Sequence, residues 1–370
     1  MGEALVIDAL RDFTDRVLGR GSAAITVPPF DGALKPNQIL ENAEVVAELD
    51  GPEDLATAGG DLYVAQGSSI LRLHGHELHE ARRFGRQVSA ICGLDDGRLA
   101  VALDGREIRV FASAAGTDAG TSYSGERMNA VNALAPGPRG TILVTDGSLD
   151  QPASRWTHDL MNRGRTGRLL SIDLATREVR MVAKDLQHAF GVATAGDSAI
   201  VSESWRHRLV TVAANGTIKS PLDNLPVYPS RLCPAANGGF WLTAFCGRTQ
   251  LVEFVLRENA YRRRMMQEID PEFWVAPRLS SGHSFREPMQ GAHLKTMGVV
   301  KPWAPPRSYG LVIRLNAECV PLYSLHSRVD GQNHGVVAAV EVGDALYVLA
   351  KGPGRLLRLS LRAIAKEFGR

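Results

Sequence analysis

Apolar and polar positions alternate over short runs along most of the chain. Asp61-Leu-Tyr-Val-Ala-Gln, a glycine at Gly67, and Ser69-Ile-Leu-Arg-Leu read as two strands and a turn. The unit recurs as Gly97-Arg-Leu-Ala-Val-Ala-Leu with Ile108-Arg-Val-Phe, and as Gly140-Thr-Ile-Leu-Val-Thr-Asp with Gly167-Arg-Leu-Leu-Ser-Ile-Asp. It recurs again as Ser198-Ala-Ile-Val-Ser-Glu with His207-Arg-Leu-Val-Thr-Val, and as Gly239-Phe-Trp-Leu-Thr-Ala with Tyr309-Gly-Leu-Val-Ile-Arg-Leu. The last copy is Asp344-Ala-Leu-Tyr-Val-Leu-Ala with Gly354-Arg-Leu-Leu-Arg-Leu. Repeats spaced roughly 35–60 residues apart predict an all-β, six-bladed propeller, each repeat one four-stranded blade. One repeat cannot bury both its faces; a closed ring buries them and removes open edges.

Two blades are interrupted. Residues 147–166 separate strands two and three of blade three, and residues 247–308 do the same in blade five. Both insertions are expected to cap one mouth of the central channel, where loops on a rigid scaffold carry function. The second contains Val255-Leu-Arg-Glu-Asn-Ala-Tyr-Arg-Arg-Arg-Met-Met-Gln-Glu, which predicts one helix ending before Pro271, with the Arg262-Arg-Arg run on a solvated face. Residues 1–44 read as an N-terminal helical segment and linker, and 45–370 as the propeller.

Composition narrows the partners. Lys+Arg 42 against Asp+Glu 40 leaves no basic excess, so nucleic acid is not an expected partner. The 37 glycines suit a chain cut into strands by tight turns. Cys92, Cys233, Cys246 and Cys319 lie far apart and read as free thiols. With neither a signal-peptide pattern nor an apolar run of membrane-span length, the expectation is a cytoplasmic protein acting on a small molecule. Oligomeric state is not readable. Nucleotide, serine-hydrolase-elbow and zincin motifs do not occur.

Gly51-Pro-Glu-Asp-Leu-Ala, Thr166-Gly-Arg-Leu-Leu-Ser-Ile-Asp, Asp223-Asn-Leu-Pro-Val-Tyr-Pro with Gly238-Gly-Phe-Trp-Leu, Arg307-Ser-Tyr-Gly-Leu-Val-Ile-Arg-Leu and Leu322-Tyr-Ser-Leu-His occur in that order. Over roughly residues 45–360 this series resembles the strictosidine-synthase-like proteins. Their wider superfamily includes gluconolactonases and paraoxonase-type lactonases, all six-bladed propellers. The resemblance implies a small-molecule enzyme. Hydrolytic members hold calcium or another divalent ion at the channel mouth, whereas the plant synthases condense an amine with an aldehyde using a glutamate and no metal.

Carried over by position, Glu53 and Asn132 match two oxygen ligands of the hydrolytic metal site. Two further positions depart from it. Phe190 stands where an asparagine is expected, and Tyr228-Pro-Ser-Arg places Ser230 where an aspartate is expected, followed by Arg231. Phenylalanine cannot ligate, and a guanidinium repels a divalent ion. The second blade begins Arg86-Gln-Val-Ser-Ala, without the histidine of the paraoxonase type. A divalent cation such as calcium and a metal-free site both stay open. His188 and His334, each at the start of a blade, are the candidate bases beside Glu53. Trp156 and His158 in the blade-three insertion, with Phe190, Tyr228, Ser230 and Arg231, are candidate ligand contacts; Trp274 and Trp303 offer further aromatic surface. Three readings follow: an ester or lactone hydrolase; a metal-independent condensing or isomerising enzyme, with Glu53 as acid/base and Arg231 orienting an anionic substrate; and a non-catalytic small-molecule-binding propeller.

Overall fold

The computed structural model describes residues 27–123, 126–280, 294–296, 299–301, 308–329 and 331–369. Six four-stranded antiparallel sheets make the expected propeller. Their innermost strands are Pro52–Ala58, Val88–Gly93, Val131–Pro136, Ala189–Ala195, Val227–Pro234 and Val336–Val342. Four blades are built from consecutive strands, and blade five is interrupted between its second and third strands by a separate two-stranded ladder, Leu294–Thr296 with Val299–Lys301. The sixth takes its outermost strand from the other end of the chain: Glu44–Glu48 pairs antiparallel with Arg355–Ser360. The helix expected within residues 1–25 lies outside the described residues.

Second strands are apolar without alternation because each is covered on both faces by neighbouring blades. All five residues of Leu99–Leu103 are buried, as are seven of the eight in Phe240–Gly247. The core therefore consists of apolar clusters between adjacent blades, such as Ala56, Tyr63, Ile70, Val88, Val101 and Phe111 at the first junction. Each fully buried large side chain there contributes about 1.5–3 kcal/mol of transfer free energy.

All six innermost strands share one irregularity. The pairing register shifts near the start of each, between Pro52 and Asp54, Val88 and Ala90, Val131 and Ala133, Ala189 and Val192, Pro229 and Leu232, and Val336 and Ala338. Such a bulge bends the strand and re-aims the side chain it contains. The inserted positions hold Glu53, Ser89, Asn132, Phe190, Arg231 and Val337, one from each blade. Gly191 is required beside Phe190: a Cβ there would lie 2.4 Å from the Ser230 carbonyl oxygen and 2.6 Å from the Arg231 Cα. Blades four and five approach too closely for any side chain at that point.

The insertions fold onto this framework. In blade three, helix α1 (Trp156–Met161) follows the second strand. In blade five lie α2 (Gln250–Arg257) and α3 (Asn259–Glu268). Leu160, Met161, Val255, Met265 and Trp274 from these segments join one cluster with Leu55, Trp205, Tyr228, Phe245 and Val337 of the blades. The single helix expected across 255–268 is two, broken at Glu258 (ψ 83°). Arg262 bridges the break and corrects the solvated-face expectation. It is buried, donates to the Leu256 carbonyl at the end of α2, and reaches Asn259 Oδ1 at 2.9 Å. Orphan carbonyls at a helix end accept such a donor readily. Helix α2 is also tied down by Glu253, whose carboxylate lies 3.2 Å from Arg248 Nε and 3.4 Å from His207 Nε2.

Candidate functional site

The six bulge residues converge on one pocket at the channel mouth. It encloses about 530 Å³, part of it open solvent, and adds Trp156, His188, Phe245, Leu279 and Lys351 to its lining. The apolar wall is aromatic: Phe245 lies 5.7 Å from Phe190 and 5.4 Å from Trp156, the latter edge-on. Two ion pairs and one histidine form the polar part.

The first pair joins Arg231 to Asp54, with Nε 3.0 Å from Oδ1 and both side chains less than a tenth exposed. Nη1 donates to the carbonyls of Glu53 (2.9 Å) and Val337 (3.4 Å), and Nη2 donates to that of Ser89 (3.1 Å). Asp54 also accepts from the backbone N–H groups of Leu55 and Ile91. Burial pushes the Asp54 carboxyl up to about 6 even though the Arg231 charge pulls it down. The second pair joins Lys351 Nζ to Glu53 Oε2 at 2.6 Å, while Gln87 donates to Oε1 at 3.2 Å. Both sequence-selected residues, Glu53 and Arg231, thus bring partners that sequence reading missed, Asp54 and Lys351. Asp54 adjoins Glu53, and a buried acid needs a cation, so Arg231 was its available signal. Lys351 follows a second strand and has no counterpart in the repeat pattern.

His188 is buried, and its Nδ1 lies 3.3 Å from Asp159 Oδ2. Nδ1 makes no well-aligned hydrogen bond among the described residues, so the carboxylate is its nearest polar neighbour in position only. Its ring stacks on Trp205 at 4.2 Å, and Nε2 faces the Asn132 amide nitrogen at 3.4 Å. A proton on Nδ1, toward the carboxylate, leaves the Nε2 lone pair on the pocket side. The His188 backbone holds φ 60°, the left-handed region that a non-glycine residue enters at a cost of roughly 1–2 kcal/mol. Asp159 is held from three sides: it accepts from Ser148 Oγ (2.7 Å) and Trp205 Nε1 (2.7 Å) and faces His188. Burial pushes its carboxyl up, but the His188 ring and these donors outweigh that and keep it below the usual carboxylate range. Asp159 directly follows His158 and carries no signal of its own in the sequence, although helix α1 holds it together with Trp156 and His158.

The remaining candidates fall elsewhere. His334 does not reach the pocket: Nδ1 pairs with Ser308 Oγ at 2.7 Å, and Nε2 lies 2.8 Å from the Arg328 carbonyl. Ser230 is fully buried and donates to the Val336 carbonyl at 2.9 Å, pinning blade five to blade six. Tyr228 is buried beneath Trp205 and His207 rather than lining the pocket. His158 packs on Trp274 at 4.7 Å.

The same geometry tests the metal expectation. A hard cation needs several oxygens facing one point. Here Glu53 is bound to Lys351, and Asn132 turns its amide nitrogen to His188 and the Ala189 carbonyl. The Arg231 guanidinium lies among the mouth oxygens. No group of three or more His, Cys, Asp or Glu among the described residues could hold a metal ion. These residues do not fit the ion.

Comparison with known proteins agrees with the fold. The family model described as "Strictosidine synthase" matches residues 132–214, and "Strictosidine synthase-like, N-terminal" matches residues 32–68. The adipocyte plasma membrane-associated protein of Rattus norvegicus is 28% identical over 251 residues, covering 59% of this chain and 65% of that protein. Its Homo sapiens counterpart is 29% identical over 248 residues, covering 58% of each. The alignments thus span about three-fifths of these relatives' lengths. A solved gluconolactonase of Xanthomonas campestris superposes with a TM-score of 0.54 at 13% identity, over 85% of this chain and 88% of that one. The expectation of a cytoplasmic protein is corrected by these relatives, which are named for association with the plasma membrane. No helix among the described residues is long and apolar enough to cross a membrane. With the six blades and the order of the matched segments, the chain is a six-bladed propeller similar to the strictosidine-synthase-like proteins over residues 32–68 and 132–214.

Proposed function

We propose that the protein is a metal-independent hydrolase of small esters or lactones. The observation that carries this reading is the Asp159–His188 pair opening on an aromatic-walled pocket. Asp159 fixes the imidazole tautomer and stabilises the cation formed when His188 takes a proton. Nε2 accepts a proton from a water whose oxygen attacks the ester carbonyl carbon. The 3.4 Å contact to Asn132 is long enough for that water to replace. The carbonyl oxygen becomes an oxyanion, and Lys351 supplies the mobile cation at the mouth, having donors beyond the one Glu53 uses. The carbon–oxygen bond then breaks, and the leaving alkoxide takes the proton back from His188. Trp156, Phe190 and Phe245 favour an aryl or other apolar acyl or leaving group. Glu53 is the poorer candidate here, since its Oε2 is engaged by the Lys351 ammonium at 2.6 Å and its Oε1 accepts from the Gln87 amide at 3.2 Å.

A panel of aryl esters and lactones tests the proposal, run with and without chelator on the parent, His188→Ala, Asp159→Asn and Glu53→Gln. Hydrolysis should be indifferent to chelator and fall by roughly 10²–10⁴-fold in His188→Ala, the range for a lost general base. Asp159→Asn should fall in the same direction, and Glu53→Gln much less. Ligand binding without turnover would favour the non-catalytic reading. Loss confined to Glu53→Gln would favour the condensing one.

A further inference from the structure

The centre of the mouth is a cage of hydrogen-bond acceptors. Bulges in blades one, two and six leave the carbonyls of Glu53, Ser89 and Val337 outside the strand ladders, and all three accept from one side chain. The buried Asp54 carboxylate completes the set from blade one. Four oxygens from three blades thus surround a single cation carried by a fourth blade, blade five. Arg231 is itself less than a tenth exposed, and its guanidinium lies 5.3 Å above the Phe190 ring on the pocket side.

We infer that Arg231 is a built-in substitute for a divalent cation, and that removing it opens a cation site on Asp54 and the three carbonyls. Buried carbonyls need donors and a buried carboxylate needs a positive charge, and two kinds of group supply both to a space ringed by oxygens from three blades. One is a hard ion, which takes six to eight oxygens and completes its shell with water. The other is a guanidinium, whose planar fork presents five N–H donors. This chain supplies the second, covalently attached and independent of the calcium concentration. The same substitution explains why Ser230 can sit fully buried as a neutral hydroxyl on the Val336 carbonyl: no ion needs a further carboxylate beside it. The inference is independent of the reaction performed at the pocket.

The test uses the full chain as parent, Arg231→Ala, and Arg231→Ala combined with Asp54→Asn. Melting temperature and calorimetric calcium binding are measured with about 10 mM calcium chloride, enough to fill a site of millimolar affinity. Magnesium chloride is the control, since that ion demands stricter octahedral geometry. The parent should neither bind calcium nor shift. Arg231→Ala should melt lower, bind calcium with one-to-one stoichiometry, and recover roughly 3 °C or more with it. The double variant should not recover. If Arg231→Ala is unfolded without the ion, folding on calcium addition supports the inference, and failure to fold with calcium overturns it. Calcium binding by the parent with the same affinity as by Arg231→Ala overturns it too, as does a folded Arg231→Ala variant that binds no calcium.

Discussion

Gly164 precedes the third strand of blade three and lines no part of the pocket, yet substituting it should disable the site. A Cβ at position 164 would lie 2.1 Å from Asp159 Oδ1, 2.6 Å from Cγ and 2.7 Å from Oδ2. An ordinary carbon–oxygen contact is about 3.2 Å or longer, so the carboxylate must retreat by about 1 Å. It has no slack, because Ser148 and Trp205 each hold it at 2.7 Å and His188 faces it. Gly164→Ala therefore breaks at least one buried contact to a charged group, at a cost of about 1–3 kcal/mol. A 1 Å displacement of the group that orients a catalytic base lowers turnover by roughly 10²-fold. The variant should melt a few degrees lower and hydrolyse the best panel substrate about a hundredfold more slowly, with KM little changed. Trp205 reports without any substrate: its indole N–H donates to Asp159 and its ring stacks on His188, so its emission should shift. Normal turnover with a shifted Trp205 spectrum would show that Asp159 does not orient a catalytic histidine. An unshifted spectrum at parental stability would refute the steric argument itself.

Three further expectations concern stability and reactivity. His326 is fully buried between Tyr309 and Ser324, and burial, helped by Arg328, lowers its pKa to about 4 from about 6.5. Since the unfolded chain then binds the extra proton, stability should fall by up to about 1.4 kcal/mol per pH unit between pH 6.5 and 4; acid melts in which His326→Gln is no less pH-sensitive would refute this. Burial raises the Glu253 carboxyl, but His207 and Arg248 outweigh it and hold it down at about 2. Glu253→Gln should therefore strand a buried guanidinium, loosen α2 and cost roughly 3–5 kcal/mol by denaturant melt at neutral pH. Burial also pushes the Cys233 and Cys319 thiols up to about 12 and about 11, and those of Cys92 and Cys246 up as well. A disulfide reagent at about pH 8 should consequently react with fewer than one thiol per native chain and with all four after denaturation.

The blades were legible because their period repeats and because strands such as Leu99–Leu103 must be apolar throughout when covered on both faces. Glu53, Asn132, Phe190 and Arg231 were legible by position, since each falls near the start of an innermost strand. Ser89 and Val337 occupy the same place in blades two and six but carry no conspicuous chemistry, so only the shared bulge reveals them. His334 misled because it occupies a blade start without a place in a bulge, and its ring is consumed by Ser308 and Arg328. Asp159 and Lys351 could not be read, because their partners are 29 and 298 residues away and neither follows the repeat. Three adjacent arginines look solvated in the sequence, yet the first, Arg262, is buried and donates to the Leu256 carbonyl at the end of α2.

The strand Glu44–Glu48 has one more consequence. Arg358 donates to Glu44 at 3.0 Å across 314 positions of chain, so blade six is completed by a segment made before any other blade. Bringing those ends together costs roughly 5 kcal/mol in loop entropy beyond a fixed initiation penalty. During synthesis the early strand must wait, unpaired, until the last hairpin leaves the ribosome. Ring closure is therefore the late, slow event, and an unclosed ring exposes a bare strand edge that an identical strand from another molecule could fill. The seam that makes the finished protein resistant to unravelling is thus also the place where swapped oligomers would form, and its closure ties yield to protein concentration during refolding.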